Sequence, residues 1–221
     1  MGWNKGALHG VIASSRLHGT WTNLISWWKL TELSGSFQDS HSAQTASKSS
    51  TASYSSIGVV LDGSLAEVYL SISARGTGDF TMIMRINPTS GYGDRVILGQ
   101  GSLAFQLAYN TSFGLIAAQE SGSEATATTL TMTAGSVNMI AIVRSGTTFR
   151  FFINGSFESE TFSANFSNAS QSLGDGTSPY NSQAAGTFRD FAIFNDAKSD
   201  AYITAFYNSG SYTDYEDGDP I

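Results

Sequence analysis

The chain of 221 residues carries 11 Lys+Arg against 18 Asp+Glu, a formal net charge of −7, and no cysteine. This balance argues against a nucleic-acid partner or an anionic membrane surface, because phosphate binding needs a basic stripe, and the missing cysteines exclude disulfide frameworks, thiolate zinc sites and thiol nucleophiles. With 41% hydrophobic and 12% aromatic residues, only 13% charged ones and 23 Gly, the composition favours short strands joined by polar turns over a helical bundle.

Residues 1–23 show no sustained period and read as an N-terminal arm. The start contains no apolar core followed by a small-residue cleavage site, and Gly6 stands where a myristoylation signal needs Ser or Thr. No apolar run approaches the ~20 residues that span a bilayer. Neither a classical secretion signal nor membrane insertion is therefore expected. The first strand is expected over Leu24–Leu30, with Ile25, Trp27 and Lys29 on one face and Leu24, Ser26, Trp28 and Leu30 on the other. Aromatic residues on both faces imply that both are covered, one by core and one by a loop or partner. Residues 34–56 are polar and read as a long loop unless a strand is embedded in them.

Strand signals resume at Ile57–Leu61, turn at Asp62-Gly63 and continue from Leu65 to Ile72. Asp79–Ile86 ends at Asn87-Pro88, where Pro removes a ladder donor. Short strands follow at Arg95–Leu98, Leu103–Ala108, Phe113–Ala118 and Ala125–Thr133. The clearest unit is a meander, Met139–Arg144, Thr148–Ile153 and Ser156–Phe162, whose second turn is Asn154-Gly155, a strong hairpin signal. Beyond Ser172–Gly174, the run Phe188–Phe194 alternates Phe188, Asp190, Ala192 and Phe194 against Arg189, Phe191 and Ile193. Ser199 is placed to cap a helix over Asp200–Tyr207 with Ile203, Phe206 and Tyr207 on its apolar face. Residues 209–221 form an acidic tail, which leaves 24–208 as a single all-β domain.

Several stretches, in order, resemble the laminin-G-like and pentraxin-like branch of the concanavalin A-like lectin/glucanase superfamily. Leu24–Gly35 with Asp39-Ser40 is similar to that family's first strand, Val60–Gly63 to its "F-DG" strand end, and Phe80–Pro88 to its "FTisfWvkP". The hairpin through Asn154-Gly155 is similar to "vaVvrdGttv-lYvNG", and Gly186–Asn195 with the helix ending Tyr207-Asn208 to "GkiDevriyn…eeI-alYn". Two positions depart from the pattern: the usual Trp before the hairpin is absent near Val137-Asn138, and Arg85 stands where "fWvkP" has Trp. The resemblance implies a two-sheet antiparallel jelly-roll sandwich, in agreement with the pattern of strands.

It also implies one structural calcium, with Asp39 and Asp190 as oxygen ligands; the competing readings are an Asx-turn at Asp39 and an ion pair at Asp190. Glucanases of the superfamily place alternating carboxylates on one strand. Here Glu158 and Glu160 alternate without a third acid, and His9, His18 and His41 sit in the arm and the polar loop, so a solvated strand face is expected and no catalytic residue is assigned. Loop aromatics with a neighbouring amide suit sugar stacking, which makes Tyr92, Tyr109 with Asn110, and Tyr180 with Asn181 the candidate glycan contacts, against the alternative that they cover turns. In the arm, Trp3, Leu8, Val11, Ile12, Leu17 and Trp21 are the expected anchors in a neighbouring subunit.

Laminin-G-like sandwiches are common among phage structural proteins, so by analogy the resemblance, with the absent signal peptide and cysteines, implies a non-enzymatic phage virion protein, a capsid decoration or tail-associated component assembled in the host cytoplasm. Its arm docks to a capsid or tail protein and to sister subunits in an oligomer, and its sandwich faces outward toward cell-surface glycans. A free carbohydrate-binding module or lectin is the alternative, and a degenerate glycoside hydrolase a further one.

Overall fold

A computed structural model describes residues 21–72, 75–89, 95–99, 106–110, 114–118, 124–127, 129–163, 165, 170–174 and 183–208. The strands in chain order begin with β1 (Leu24–Trp28), β2 (Phe37–Gln38), β3 (Thr45–Lys48), β4 (Val59–Asp62) and β5 (Val68–Ser71). Next come β6 (Phe80–Pro88), β7 (Arg95–Gly99), β8 (Gln106–Tyr109), β9 (Leu115–Ala118) and β10 (Glu124–Ala127). The meander is β11 (Asn138–Ser145), β12 (Thr148–Ile153) and β13 (Ser156–Thr161), followed by β14 (Ser170–Leu173), β15 (Ala185–Phe194) and the helix α1 (Asp200–Asn208). No described helix is long and apolar enough to cross a membrane.

Two antiparallel sheets result, as the alternating pattern requires. One has seven strands in the order β1-β15-β6-β11-β12-β13, with β4 also paired to β15; the other has eight, β10-β9-β8-β7-β14-β5-β3-β2. They face one another as a jelly-roll sandwich. Between them lie Phe80, Met82, Met84 and Ile86 of β6, Ile140 and Ile142 of β11, and Phe149 and Phe151 of β12, packed against Leu70, Ile97, Leu107, Tyr109 and Leu173 of the opposite sheet. Alternation sends the odd residues of β6 to the other face, where a second apolar cluster forms. Leu24, Trp27, Ile83, Met139, Ala141, Val143, Phe152, Ala192 and Phe194 meet Ile203 and Phe206 of α1 there. The covering that aromatic residues on both faces of β1 called for is thus this chain's own helix. Ser199 caps it, its Oγ accepting from the Tyr202 N–H at 3.2 Å.

The structure corrects the sequence reading at four points. The polar stretch holds two short strands, β2 and β3, whose Phe37 and Ala46 turn toward the core and are fully buried. Strand β10 ends at Ala127, well before Thr133. Tyr207 is 39% exposed and does not join the buried face of α1. Finally, β15 does not alternate regularly. Asp190 has φ +56°, and the register with β6 shifts between Arg189 and Ala192. This bulge sends Phe188, Phe191 and Ile193 into the sandwich while Ala192 and Phe194 face α1.

Candidate functional site

Among the described residues, helix α1 packs on the part of the outer face of the seven-stranded sheet that carries Trp27, Ile83, Met139, Ala141, Val143, Phe152, Ala192 and Phe194. Elsewhere on that sheet, β6 and β15 present Arg85 opposite Arg189 and Asn87 opposite Thr187. With Ile57, Ile86 and Val137 these residues line an open cleft of about 110 Å³, room for several waters. Its two aliphatic walls are largely in solvent, Ile57 at 59% and Val137 at 54% exposure. Each wall is held by the backbone. Asn138 fixes the segment bearing Val137: its Oδ1 accepts from the Thr133 N–H at 2.9 Å while its Nδ2 donates to the Thr133 and Ser136 carbonyls at 2.9 and 2.8 Å. Next to Ile57, Gly58 has φ +140°, and a Cβ there would stand 2.5 Å from the Phe188 carbonyl oxygen. Only glycine lets β4 approach β15 this closely.

Beside the cleft, the bulge brings Asp190 near both arginines. Its Oδ2 lies 3.5 Å from Arg85 Nη1 and 3.6 Å from Arg189 Nε. Both distances exceed the ~2.7–2.9 Å of a hydrogen-bonded ion pair, so the contacts are electrostatic rather than hydrogen-bonded. Burial pushes the Asp190 carboxyl above its ordinary range, opposed by the charges of Arg85, Arg189 and Lys29. Among the described residues, Asn87 Oδ1 and Arg189 Nε are shielded polar atoms for which no hydrogen-bond partner is found. The cleft thus combines two guanidinium groups, an amide and a hydroxyl with two apolar walls.

The expected site residues fall elsewhere. Asp39 and Asp190 do not fit a shared calcium site. Asp39 Oδ1 accepts from the N–H groups of Trp27, His41 and Ser42 at 2.9, 2.9 and 3.1 Å, and Oδ2 accepts from the Ser42 hydroxyl. This is the Asx-turn reading, and it supplies the edge strand β1 with an acceptor. Asp190 has guanidinium groups where a cation would have to sit. Among the described residues, no three His, Asp or Glu gather as a metal-holding group.

Tyr109 is fully buried and cannot be a sugar platform. It occupies an inward position of β8, its hydroxyl 3.5 Å from the Ala185 carbonyl, and burial raises its phenol pKa. Asn110 closes the β8–β9 turn, its Oδ1 accepting from the Gly114 N–H at 3.0 Å. Tyr92, Tyr180 and Asn181 lie outside the described residues, as do Trp3, Leu8, Val11, Ile12 and Leu17. The sixth expected anchor, Trp21, is bound to its own domain: it stacks on Trp27 at 5.4 Å and Phe194 at 6.0 Å and meets Phe206 edge-on at 5.7 Å. Glu158 Oε1 accepts from the Thr129 and Leu130 N–H groups at 2.8 and 2.9 Å, tying the segment after β10 to β13, and Glu160 is exposed. The sequence reading therefore missed Ile57, Asn87, Val137, Thr187 and Arg189 as a group. Its one pointer was Arg85, a cation in a strand position where the resembled family carries Trp.

Comparison with known proteins places this geometry in context. A family model described as concanavalin A-like lectin/glucanases superfamily matches residues 62–204. No curated protein sequence matches the chain. Among solved structures, Trypanosoma rangeli sialidase superposes with a TM-score of 0.68 at 10% identity, covering 85% of this chain and 33% of the sialidase. The receptor binding domain of botulinum neurotoxin C/D mosaic serotype gives 0.67 at 13% identity, covering 85% of this chain and 51% of that domain. The binding domain of botulinum neurotoxin DC in complex with SialylT gives 0.66 at 12% identity, over 88% of this chain and 53% of that domain. The chain thus spans about a third of the sialidase and about half of the toxin domains, and identities this low establish a shared fold.

Proposed function

The chain belongs to the concanavalin A-like lectin/glucanase superfamily, and from that premise we propose that it is a carbohydrate-binding module that acts by recognition and not by bond cleavage. The observation that carries this reading is the cleft on the outer face of the seven-stranded sheet, where the aliphatic walls Ile57 and Val137 flank Arg85, Asn87, Thr187 and Arg189, the pattern of a small-ligand site. Solved neighbours whose names include a sialidase bound to sialic acid and a toxin domain bound to SialylT support a saccharide as the ligand. Glu158 supports recognition over hydrolysis, since a carboxylate accepting from two backbone N–H groups serves the fold and is poorly placed as a general acid. A glycan array probed with the purified chain tests the reading: selective retention on saccharides is expected, and its absence on every saccharide would overturn it.

The finer reading is that this module is displayed on a phage virion, as a capsid decoration or tail-associated protein, attached through the segment before β1 to a capsid or tail protein and to sister subunits. Its support is the sequence of that segment, where Trp3, Leu8, Val11, Ile12 and Leu17 stand in a Gly- and Ser-rich context ahead of β1. Trp21, committed to the domain's own outer face, is not among these anchors. Deleting residues 1–20 is expected to abolish incorporation into particles while leaving the sandwich folded. Normal incorporation of the shortened chain would contradict it.

A further inference from the structure

We propose that the saccharide site continues from the cleft onto a shelf of two aromatic rings, Tyr207 and Phe157, so that the ligand is an oligosaccharide and not a single sugar residue. The inference rests on the carbohydrate-binding reading and names the size of its ligand.

The first argument is how the two rings are held. Tyr207 stands in the last turn of α1 and, unlike Ile203 and Phe206, keeps 39% of its surface in solvent. It rests on the turn between β12 and β13: a Cβ on Gly155 would lie 2.9 Å from Tyr207 Cδ1, 3.5 Å from Cγ and 3.6 Å from Cε1. Glycine leaves room for the ring there, at a φ of +83° that favours glycine in any case. Phe157, 45% exposed, lies directly opposite Phe152 across β12 and β13, its ring 5.2 Å from that of Phe152 and inclined at 31°. Each ring is therefore supported from within the domain and open on its other side. A ring fixed in this way presents contact area at little cost in side-chain entropy.

The second argument is position. Phe152 belongs to the outer-face cluster that packs on α1, so its cross-strand partner Phe157 faces the same side. The cleft and the turn under Tyr207 are tied together. Asn154, next to Gly155, donates from Nδ2 to Asn138 Oδ1 at 3.1 Å, and its own Oδ1 accepts from the Met139 N–H at 2.9 Å. Asn138 adjoins Val137, the exposed wall of the cleft. Paired strands lie ~4.8 Å apart, so the turn that supports Tyr207 is about one strand spacing from the strand end that carries Val137. The third argument is composition. The β13 residues that share a face with Phe157 are Ser159 and Thr161, both exposed. Rings set singly among hydroxyls match a sugar chain, which alternates apolar C–H faces with hydroxyls, whereas the core of a protein interface calls for a contiguous apolar patch.

The test measures the affinity of the full chain for linear β-1,4-linked homo-oligosaccharides of glucose, mannose, galactose and N-acetylglucosamine, from the monosaccharide to the hexasaccharide. Within a series that binds, affinity is expected to rise about tenfold from the monosaccharide to the longer chains, the scale of two ring contacts. Y207A and F157S are each expected to remove most of that gain and to leave monosaccharide binding unchanged, and Y207F, which keeps the ring, to retain it. Phe157 is exposed on the last strand of its sheet, so F157S reports on the shelf independently of any loss of helix packing in Y207A. Affinity independent of chain length, a gain that survives both Y207A and F157S, or a monosaccharide affinity that falls in step with the gain overturns the inference and leaves the carbohydrate-binding reading standing. A dimer of the full chain that F157S dissolves assigns the rings to a second copy and overturns it too. Absence of binding to every oligosaccharide here overturns the inference, and absence on the glycan array as well overturns both.

Discussion

Arg85 and Arg189 stand directly opposite one another across β6 and β15, and both reach the same oxygen of Asp190. The juxtaposition depends on the bulge. A regular β15 would have turned Asp190 inward with Phe188 and pointed Phe191 and Ile193 out; the extra residue at positive φ restores the core and leaves a carboxylate beside two cations.

Asp190 should leave a signature in the pH dependence of stability. Its carboxyl is held above the ordinary aspartate value of 3.8, chiefly by burial, so the native state binds this proton more tightly than the unfolded chain does. Stability from this group is therefore greatest in acid and falls as pH rises from about 3.8 through the elevated native value. Thermal melts of wild type and D190N across mild acid should show the wild type losing ground to the variant as pH increases. A difference that moves the opposite way would mean that the arginines outweigh burial.

Trp21 closes the outer apolar cluster by packing on Trp27, Phe194 and Phe206. Trp21→Ala should cost about 1–3 kcal/mol, lowering Tm by several degrees in the isolated monomer. An unchanged melt would show that this contact is absent in solution and would return Trp21 to the set of docking residues.

Gly58 has no room for a side chain, since a Cβ would meet the Phe188 carbonyl oxygen at 2.5 Å and Thr187 Cγ2 at 2.8 Å, at φ +140°. Gly58→Ala should destabilise by about 2 kcal/mol or more and should weaken saccharide binding, because Ile57 moves with it. Wild-type stability in this variant would contradict the close approach of β4 to β15.

For Asp39, the oxygens are engaged by three backbone N–H groups and a hydroxyl. Asp39→Ala should therefore cost about 2–3 kcal/mol and speed hydrogen exchange at the Trp27 amide. Millimolar calcium should leave the wild-type Tm unchanged, whereas a resident calcium would raise it with concentration.

Much of the fold was legible because long-range pattern and local turn chemistry agreed. Asn154 and Gly155 adopt φ of +51° and +83° as the Asn-Gly signal demands, and β12 begins and ends where its alternation does. What failed did so for local reasons. The two-residue strand at Phe37–Gln38 is too short to show a period, and a bulge such as that at Asp190 leaves no mark in the composition around it. Tyr109 was misjudged because its neighbour Asn110 does mark a turn, while the Tyr itself is the last inward residue of β8. The candidate cleft was almost wholly hidden. Its lining residues are distributed over positions 57 to 189, and only strand pairing brings Asn87 to Thr187 and Arg85 to Arg189.

The most direct test of saccharide recognition by this cleft is to follow backbone amide shifts while a monosaccharide retained on the glycan array is titrated into the full chain. Concentration-dependent shifts gathered at Ile57, Asn87, Val137, Thr187 and Arg189, with the opposite sheet unmoved, are the expected result. Shifts centred on any other surface, or none at saturating sugar, would contradict the account.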